Sequence, residues 1–477
     1  MLNRFLHPKS HQFVHQLVLV FFVVGIVCSK ALMSIGILLG LLNLILEADY
    51  VAYWNSMKSS KSFWLISGLF LLHAMAIIWT SNITEGLDDL RMKTTLITVP
   101  LIVFSKSDLV TQKKRFLLNL LIWVVFLISC INVLAYFQLF GSREYLDMRQ
   151  LSLFGSHIRF SLLVAFSIGL SLHFYIETGK IYFLVAIIFL VFYAIFSQVF
   201  SGLVALLIVL VCFGLYYLKY KKFVALSYAS IFIVICSTSY IAVYILQPNE
   251  TKVLPVNLQQ LSKEWKSKSN LDFYGKDKKQ QPLHSTIIRY LHSKDLPADS
   301  LGMSKLSGVD VREIENGTAD IHEKTPGFIG KLNEVRFQLH QTNDPNGSTI
   351  LQRFEFWKTG LEIINENWLI GVGTGDIKSE FQRKYNENKS KLLPQNRLEA
   401  HNTFMTFFIT FGVFGFLLLI YFLYYQFIQF YKVNDIVGLM FLLIMSSSFI
   451  TEDTLETQMG ITIFSFLFSV LSVRSDQ

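Results

Sequence analysis

Long apolar stretches alternate with short polar ones near both ends of this chain. Stretches that can cross a bilayer as helices, which takes about 20 residues or fewer when flanking side chains snorkel, lie near 12–28, 31–46, 62–80, 92–106, 116–138, 159–176, 181–199, 202–219, 222–247, 402–430, 434–450 and 459–474. This pattern predicts about twelve transmembrane helices. The stretch near 92–106 is short and contains Pro100, so a broken or re-entrant helix is the alternative there.

One long polar stretch separates the two groups of apolar segments. Within it, 286–291 and 351–364 carry apolar residues at helical spacing. In the second segment one face is shared by Phe354, Trp357, Leu361 and Ile364. Such a helix is expected to lie on the membrane surface or to cap the helix bundle. We therefore predict N-terminal transmembrane helices over 1–247, a large loop domain over 248–400 and C-terminal transmembrane helices over 401–477.

Composition supports a membrane protein. Hydrophobic residues make up 52% of the chain and charged residues 16%, with a mean hydropathy of +0.46, whereas a soluble domain has about a quarter charged residues. The predicted fold class is an all-α polytopic membrane protein. The net charge of +8 is scattered through loops, which argues against a nucleic-acid partner. The four cysteines lie in apolar stretches without metal-ligand spacing, so we predict buried side chains and neither a disulfide nor a zinc site.

Loop charge predicts the orientation, because short cytoplasmic loops collect Lys and Arg. With twelve spans, one side receives most of the basic residues that flank them: Arg4, Lys9, Lys58, Lys61, Lys106, Lys113, Lys114, Arg115, Lys180, Lys219, Lys221, Lys222, Lys432 and Arg474. The other side receives the long polar stretch and the acidic segments 85–89 and 451–456. The large loop and His401 are thus expected to face outward, into a periplasm-like space, with the first span retained in the membrane.

His401 and Asn402 stand where the long polar stretch ends and an apolar helix begins, with Gly412 and Gly415 further into that helix. An ionisable residue at a membrane boundary is costly unless it has partners or faces water, so a functional site is the default interpretation. A plain interfacial histidine is the alternative.

This pattern resembles the signature of the O-antigen ligase family, which also contains polymerases of bacterial surface glycans. The stretch Arg353 to Trp357, followed by 369–375, looks like part of the external loop of the same family. Residues 451–458 are similar to the form found in Bacteroidetes-type bacteria. The motifs cover about 353–460, whereas the topology extends the resemblance over the whole chain. The resemblance implies a GT-C-like fold and transfer of a glycan from undecaprenyl diphosphate to a hydroxyl group.

Such a reaction requires a base for the acceptor hydroxyl, and histidine is the side chain whose ordinary pKa suits this task. It also requires a cation for the departing diphosphate, which arginine binds through bidentate hydrogen bonds. The candidates are His401 as base and Arg353 as cation, with Asn402 orienting the imidazole or binding sugar hydroxyls. No Asp-x-Asp pair for a magnesium diphosphate is present, so we expect neither a metal nor a cofactor.

Members of the family commonly carry a further arginine in a Ser-Arg-Gly-like turn, but the corresponding stretch, 196–202, has none. Arg159, at the end of another span, is a candidate substitute, or else an interfacial anchor. Gly371 and Gly373 either end a helix or form a backbone nest for the diphosphate. The remaining candidates are Glu452 and Glu456, as groups that orient His401 or bind sugar, and Gly412 and Gly415, as points of close helix packing.

The sequence does not identify the molecule that accepts the glycan. A lipid A-core acceptor would make the protein an O-antigen ligase, a growing glycan would make it a polymerase, and a protein serine or threonine would make it an O-oligosaccharyltransferase. A flippase for the same lipid-linked glycans is the alternative from another class. Transporters tend to show repeated halves and midplane charges, whereas this chain has one asymmetric loop.

Overall fold

The computed structural model describes residues 7–139, 148–219, 224–246, 254–321, 328–340, 345–346 and 348–473. Over these residues the chain forms helices, with only two isolated β-bridges, Val256 with Ala298 and Lys276 with Pro282. The described residues fall into two compact units. The first draws on 1–231, 360–384 and 399–477, and the second on 232–359 and 385–398.

The helices follow one another through short connections. The first ten, which lie before residue 220, are α1 Pro8–Cys28, α2 Lys30–Glu47, α3 Tyr50–Lys58, α4 Lys61–Ala76, α5 Ile83–Lys93, α6 Thr95–Ser105, α7 Ser107–Tyr136, α8 His157–Thr178, α9 Ile181–Phe196 and α10 Phe200–Lys219. Then come α11 Val224–Leu246, α12 Leu258–Lys268, α13 Leu283–Ser293, α14 Ser300–Ser304, α15 Gly308–Glu315, α16 Phe328–His340, α17 Thr349–Asn367 and α18 Ile377–Glu387. The last three are α19 Thr403–Lys432, α20 Ile436–Thr451 and α21 Gln458–Ser472.

Each predicted span coincides with an apolar helix, and the protein is an all-α polytopic membrane protein. Among the described residues, eight helices are long and apolar enough to cross a membrane, and α9, α20 and α21 are shorter apolar helices. The twelfth, α6, has 11 residues with Pro100 inside it, which corresponds to about 16 Å. It follows α5 after a single residue and is the shortest of the twelve helices at the predicted spans.

Phenylalanine fills much of the core of the first unit. The rings of Phe441, Phe464 and Phe468 lie with centroids 4.8 to 4.9 Å apart where α20 meets α21. Small residues allow close approach elsewhere: a Cβ added to Gly169 of α8 would lie 2.1 Å from the sulfur of Met440. Tight packing of this kind drives helix association in a bilayer, where the hydrophobic effect between helices is weak.

Basic residues gather at one end of this helix bundle, as the loop charges predict. Lys114 Nζ donates to the carbonyl of Leu471 at 2.8 Å and lies 3.8 Å from the carboxylate of Asp435. Lys219 Nζ donates to the side chain of Asn434 at 2.8 Å. The beginnings of α7 and α20 therefore meet the ends of α10 and α21.

The second unit has a core of its own, which includes Trp265, Phe273 and Ile287. Tyr290 donates to Asp310 at 2.6 Å and Lys294 donates to the same oxygen at 2.8 Å. These hydrogen bonds hold the pKa of Asp310 below its ordinary value, although burial acts in the opposite direction. The polar stretch therefore contains a folded unit.

Two expectations differ from the observed structure. Residues 360–384, placed by the sequence in the loop domain, belong to the first unit. Cys212 is buried as predicted, but the same prediction is wrong for Cys236, which is exposed. Cys236 lies on α11, whose window of highest hydropathy has none of its residues buried. An exposed apolar helix of a membrane protein presents its side chains to lipid.

Candidate active site

His401 precedes α19 with an unusual backbone conformation. Its φ of +46° lies in the left-handed region, which costs a residue other than glycine about 1–3 kcal/mol and persists only where the surroundings impose it. Asn402 is extended and caps the helix, since its side chain accepts a hydrogen bond from Met405 N at 3.0 Å. Asn is a preferred residue at this position because its side chain satisfies an amide that has no partner within the helix. The cap fixes where α19 begins, directly after His401.

The connection between α20 and α21, residues 452–457, binds the start of α19. The carboxylate of Asp453 accepts from Asn402 N at 3.1 Å and from Thr406 Oγ1 at 2.7 Å. Thr403 Oγ1 donates to the carbonyl of Glu452 at 2.8 Å and accepts from Thr454 N at 3.1 Å. These four hydrogen bonds over two adjoining segments hold the backbone that follows His401.

Carboxyl groups at this end of the bundle are hard to ionise. Burial raises the pKa of Asp453, and nearby Glu456 and Glu452 add to this effect, while the hydrogen bond from Thr406 opposes it. Burial likewise raises the pKa of Glu399 to about 7, again with the charges of Glu456 and Asp453 contributing. The site therefore combines a histidine with two acids, Asp453 and Glu399, whose pKa values are raised, an arrangement typical of functional sites.

Arg159 belongs to the same cluster. It lies in the first turn of α8, and its charge interacts with those of Glu452 and Asp453. Its Nε lies 3.1 Å from the position that a Cβ on Gly460 would take, so the absence of a side chain at Gly460 makes room for the guanidinium. This Nε is buried and has no hydrogen-bond partner within the described part of the chain.

Lys93, at the end of α5, is a member of this cluster that the sequence analysis missed. Its side chain is 0% exposed, and its Nζ lies 2.6 Å from Glu456 Oε1 and 3.7 Å from Asp89 Oδ1. Glu456 thus pairs with Lys93. The signal was present, because Lys93 stands at the boundary of an apolar stretch as His401 does.

Residues 369–375, which contain Gly371, Gly373 and Gly375 and form a glycine-rich loop, bind to a break in α19. Gly412 has φ +63° and ψ −158°, a combination that is essentially restricted to glycine. Across this break, Val372 N donates to Ile409 O at 2.8 Å, Gly373 N donates to Thr410 O at 3.0 Å, and Val413 N donates to Trp368 O at 2.8 Å. The loop thereby provides partners for backbone groups that lose helical hydrogen bonds.

Gly371 and Gly373 have positive φ angles of +72° and +95°. A Cβ on Gly371 would lie 2.4 Å from the carbonyl carbon of Thr410, so the loop and α19 approach closely only because no side chain intervenes. Gly371 N donates to Asn367 O at 2.9 Å, which ends the preceding helix. Gly415 is buried one turn beyond the break, against Phe411.

Arg353 lies on α17, in the second unit, and is partly buried. His401, Asn402, Arg159, Glu452 and Glu456 all belong to the first unit. Among the residues that the structure describes, no group of three or more His, Cys, Asp or Glu side chains is arranged to hold a metal ion.

Comparison with known proteins assigns the chain to a family. A family model described as O-antigen ligase matches residues 183–420, from α9 to beyond the break in α19. The matched region contains Arg353, the glycine-rich loop, His401 and Gly412. A search of curated proteins found no match. With its membrane helices and this match, the chain belongs to the O-antigen ligase family, a group of multi-pass bacterial membrane proteins that carry out ligase- or polymerase-like glycosyl transfer.

Proposed function

We propose that this protein transfers a glycan from undecaprenyl diphosphate to an acceptor hydroxyl at the periplasmic face of the inner membrane. We propose further that it is an O-antigen ligase with lipid A-core as acceptor. The observation that carries the proposal is the start of α19, where His401 adopts a left-handed conformation and the partly buried Asp453 accepts a hydrogen bond from the next backbone amide. A base held by its surroundings in this way has little orientational freedom to lose during the reaction.

The proposed reaction is a direct displacement. The imidazole of His401 accepts the proton of the acceptor hydroxyl as the oxygen bonds to the anomeric carbon. The bond from that carbon to the phosphate oxygen breaks, and its electron pair leaves with the diphosphate. Attack on the face opposite the leaving group inverts the anomeric configuration.

Arg353 and Arg159 are the proposed cations for the departing diphosphate. Arginine stays charged and offers a planar fork of donors, which suits phosphate oxygens. The buried Nε of Arg159 supports its role, because this donor has no partner among the described residues. Asn402 and Glu452 are proposed to bind acceptor sugar, with Glu456 supporting the same connection. The amides of Gly371 and Gly373 already donate to Asn367 O and Thr410 O, so this loop ends a helix and does not offer a nest for the diphosphate. No metal takes part in this scheme.

The test is a transfer assay with purified protein, an undecaprenyl-diphosphate-linked glycan, EDTA and one acceptor at a time. His401→Ala is expected to lower kcat by about 100-fold or more, since general bases contribute this much. Arg353→Ala is expected to lower it by about 100-fold, the usual effect of removing a donor to developing charge. The controls are His7→Ala and Arg312→Ala, which alter exposed side chains of the same types.

Full activity of the His401→Ala variant would overturn the proposed base, and loss of activity in EDTA would overturn the metal-free mechanism. Transfer to lipid A-core identifies a ligase. Transfer to a glycan or to a protein hydroxyl identifies one of the two alternatives. In cells, deletion of the gene is expected to leave lipid-linked glycan on the outer leaflet; accumulation on the inner leaflet would identify a flippase.

A further inference from the structure

Lys93 is a fully buried lysine that the proposed reaction does not use. Burying an ammonium group costs several kcal/mol unless its charge and its hydrogen bonds are satisfied. The satisfying groups are Glu456 Oε1 at 2.6 Å and the carbonyl oxygen of Leu455 at 2.6 Å, with Asp89 Oδ1 at 3.7 Å. Two of these three groups belong to the connection between α20 and α21. Lys93 therefore attaches α5 to that connection.

The same connection also binds the start of α19, through Asp453, which lies three residues before Glu456. Asp453 accepts from Asn402 N and Thr406 Oγ1, and Thr403 bonds to the backbone of Glu452 and Thr454. A continuous series of contacts thus runs from Lys93 through 452–456 to the residue that follows His401. The connection contains one short 3-10 turn, Thr454–Glu456, so its own helical hydrogen bonds restrain it little.

Charge gives Lys93 a second role in the same place. Charged and titratable groups interact with Lys93 from three elements: Asp89 on α5, His73 on α4, and Asp453 and Glu456 on the connection. Glu399 and His401, before α19, and Glu452, on the connection, interact in turn with Asp453. Arg159 on α8 brings a positive charge to Glu452 and Asp453, and Lys378 on α18 brings one to Glu399, while Lys93 pairs with Glu456 and Asp89. Without Lys93, adjacent buried carboxylates would repel one another, and the connection would lose its shape.

We propose that Lys93 is a positioning residue for glycosyl transfer: it holds the 452–456 connection so that Asp453 keeps the backbone after His401 in its reactive conformation. This inference rests on the proposed function, because it concerns the proposed base. Lys93 is enclosed by protein and contacts no substrate, so it acts on the rate of the chemical step and leaves donor binding almost unchanged.

The first test compares Lys93→Met with Arg91→Met. Arg91 lies two residues away and forms an exposed ion pair with Asp88, with 83% of its side chain accessible. Lys93→Met is expected to lower kcat by about tenfold or more and to change the donor KM by less than about threefold, as befits a misplaced catalytic group. Arg91→Met is expected to keep both constants. Unchanged kcat in folded Lys93→Met would overturn the inference.

The double variant Lys93→Met/Glu456→Gln separates positioning from stability. Removing both members of a buried ion pair is often close to neutral for folding. The acid that remains beside the pair, Asp89, has a pKa that burial raises to about 7, so it can take up a proton at little cost. We expect this variant to melt near the wild-type temperature and still to show a kcat about tenfold below wild type, because the attachment is lost. Recovery of wild-type kcat would show that the attachment is dispensable and would overturn the inference.

The pH profile provides a readout that general destabilisation would not move. Removing a cation raises the pKa of nearby carboxylates, and the charge of Lys93 acts on Asp453 and Glu456. The ionised forms of these two carboxyl groups then exist only at higher pH. The acid limb of kcat in Lys93→Met is expected to move to higher pH by about half a unit or more. A uniform loss of activity at every pH would contradict the inference.

Hydrogen exchange tests the positioning step without any transfer reaction. Lys93→Met should speed amide exchange by about fivefold or more in peptides covering both 452–457 and 400–406, while Arg91→Met should not. Unchanged exchange over 400–406 would overturn the inference even if the transfer assay succeeds. A different outcome separates the two proposals. If exchange over 400–406 is faster in Lys93→Met but the wild-type protein transfers no glycan, the attachment through Lys93 is supported and the proposed function is rejected.

Discussion

Asp453 joins two elements through a single carboxylate, since it accepts hydrogen bonds from Asn402 N and Thr406 Oγ1. Asp453→Asn keeps one acceptor oxygen but removes the charge that faces His401. We expect kcat to fall by about tenfold or more, because a hydrogen bond to a charged group contributes about 1.5–3 kcal/mol. The measurement is steady-state transfer with wild type and variant at the same pH.

Two threonine variants sharpen this test. Thr406→Val removes one of the two donors to Asp453 and is expected to cost about threefold to tenfold in kcat. Thr410→Val is the matched control, because its hydroxyl donates to Thr406 O within α19 and does not contact Asp453. Equal kcat for wild type and Asp453→Asn would show that the charge of this carboxylate has no part in catalysis.

Among the secondary-structure elements, α19 depends most on a departure from regular geometry. The break at Gly412 lies nine residues after Thr403, which is about 14 Å along the helix. A Cβ at Gly412 would lie 2.3 Å from the carbonyl carbon of Leu369. The glycine-rich loop and α19 are therefore positioned by each other, and their contact requires glycine on both sides.

Gly412→Ala is expected to lower the apparent melting temperature by about 4 °C or more, since the backbone conformation alone costs about 1–3 kcal/mol. Transfer should fall with it, because His401 and Asn402 directly precede α19. Gly68→Ala is the matched control: Gly68 lies within α4, and a Cβ there would meet no atom within 4 Å. A Gly412→Ala protein that melts at the wild-type temperature would contradict the observed break.

For the whole molecule, the two ends of the helix bundle differ in charge. Basic residues meet at the end that contains Lys114 and Lys219, and the candidate active site lies at the other end of α19. The loop charges predict that the basic end faces the cytoplasm. Because the candidate active site lies at the opposite end of α19 from these basic residues, it is then expected to face away from the cytoplasm.

Cysteine labelling tests this orientation in a variant whose four native cysteines are replaced by alanine. A cysteine at Asp88, on α5, is expected to react with a membrane-impermeant maleimide in intact cells. One at Lys180, between α8 and α9, should react only after permeabilisation. Both positions are exposed, so access depends on the side of the membrane. The reverse result would place the site in the cytoplasm.

The sequence by itself determined the membrane class, the positions of the apolar helices and the motif around His401. Hydropathy and loop charge can be read from windows of about 20 residues, and the helix cap joins Asn402 to Met405, only three residues further on. Such short-range preferences can be identified from the order of residues alone. The helical segment 351–364 and the helix end at Gly371 were predictable for the same reason.

Only the tertiary structure decided which residues join His401. Lys93 and Leu455 are separated by 362 positions, and Asn402 and Asp453 by 51. The sequence analysis selected the last connection, but it could not tell that the carboxylate of Asp453, and not that of Glu452 or Glu456, accepts hydrogen bonds from Asn402 N and Thr406 Oγ1. The sequence analysis also placed residues 360–384 in the loop domain. These residues belong to the first unit, and Gly371 among them packs against Thr410 of α19. Contacts between distant segments depend on how helices pack in three dimensions, and local pattern carries no information about that packing.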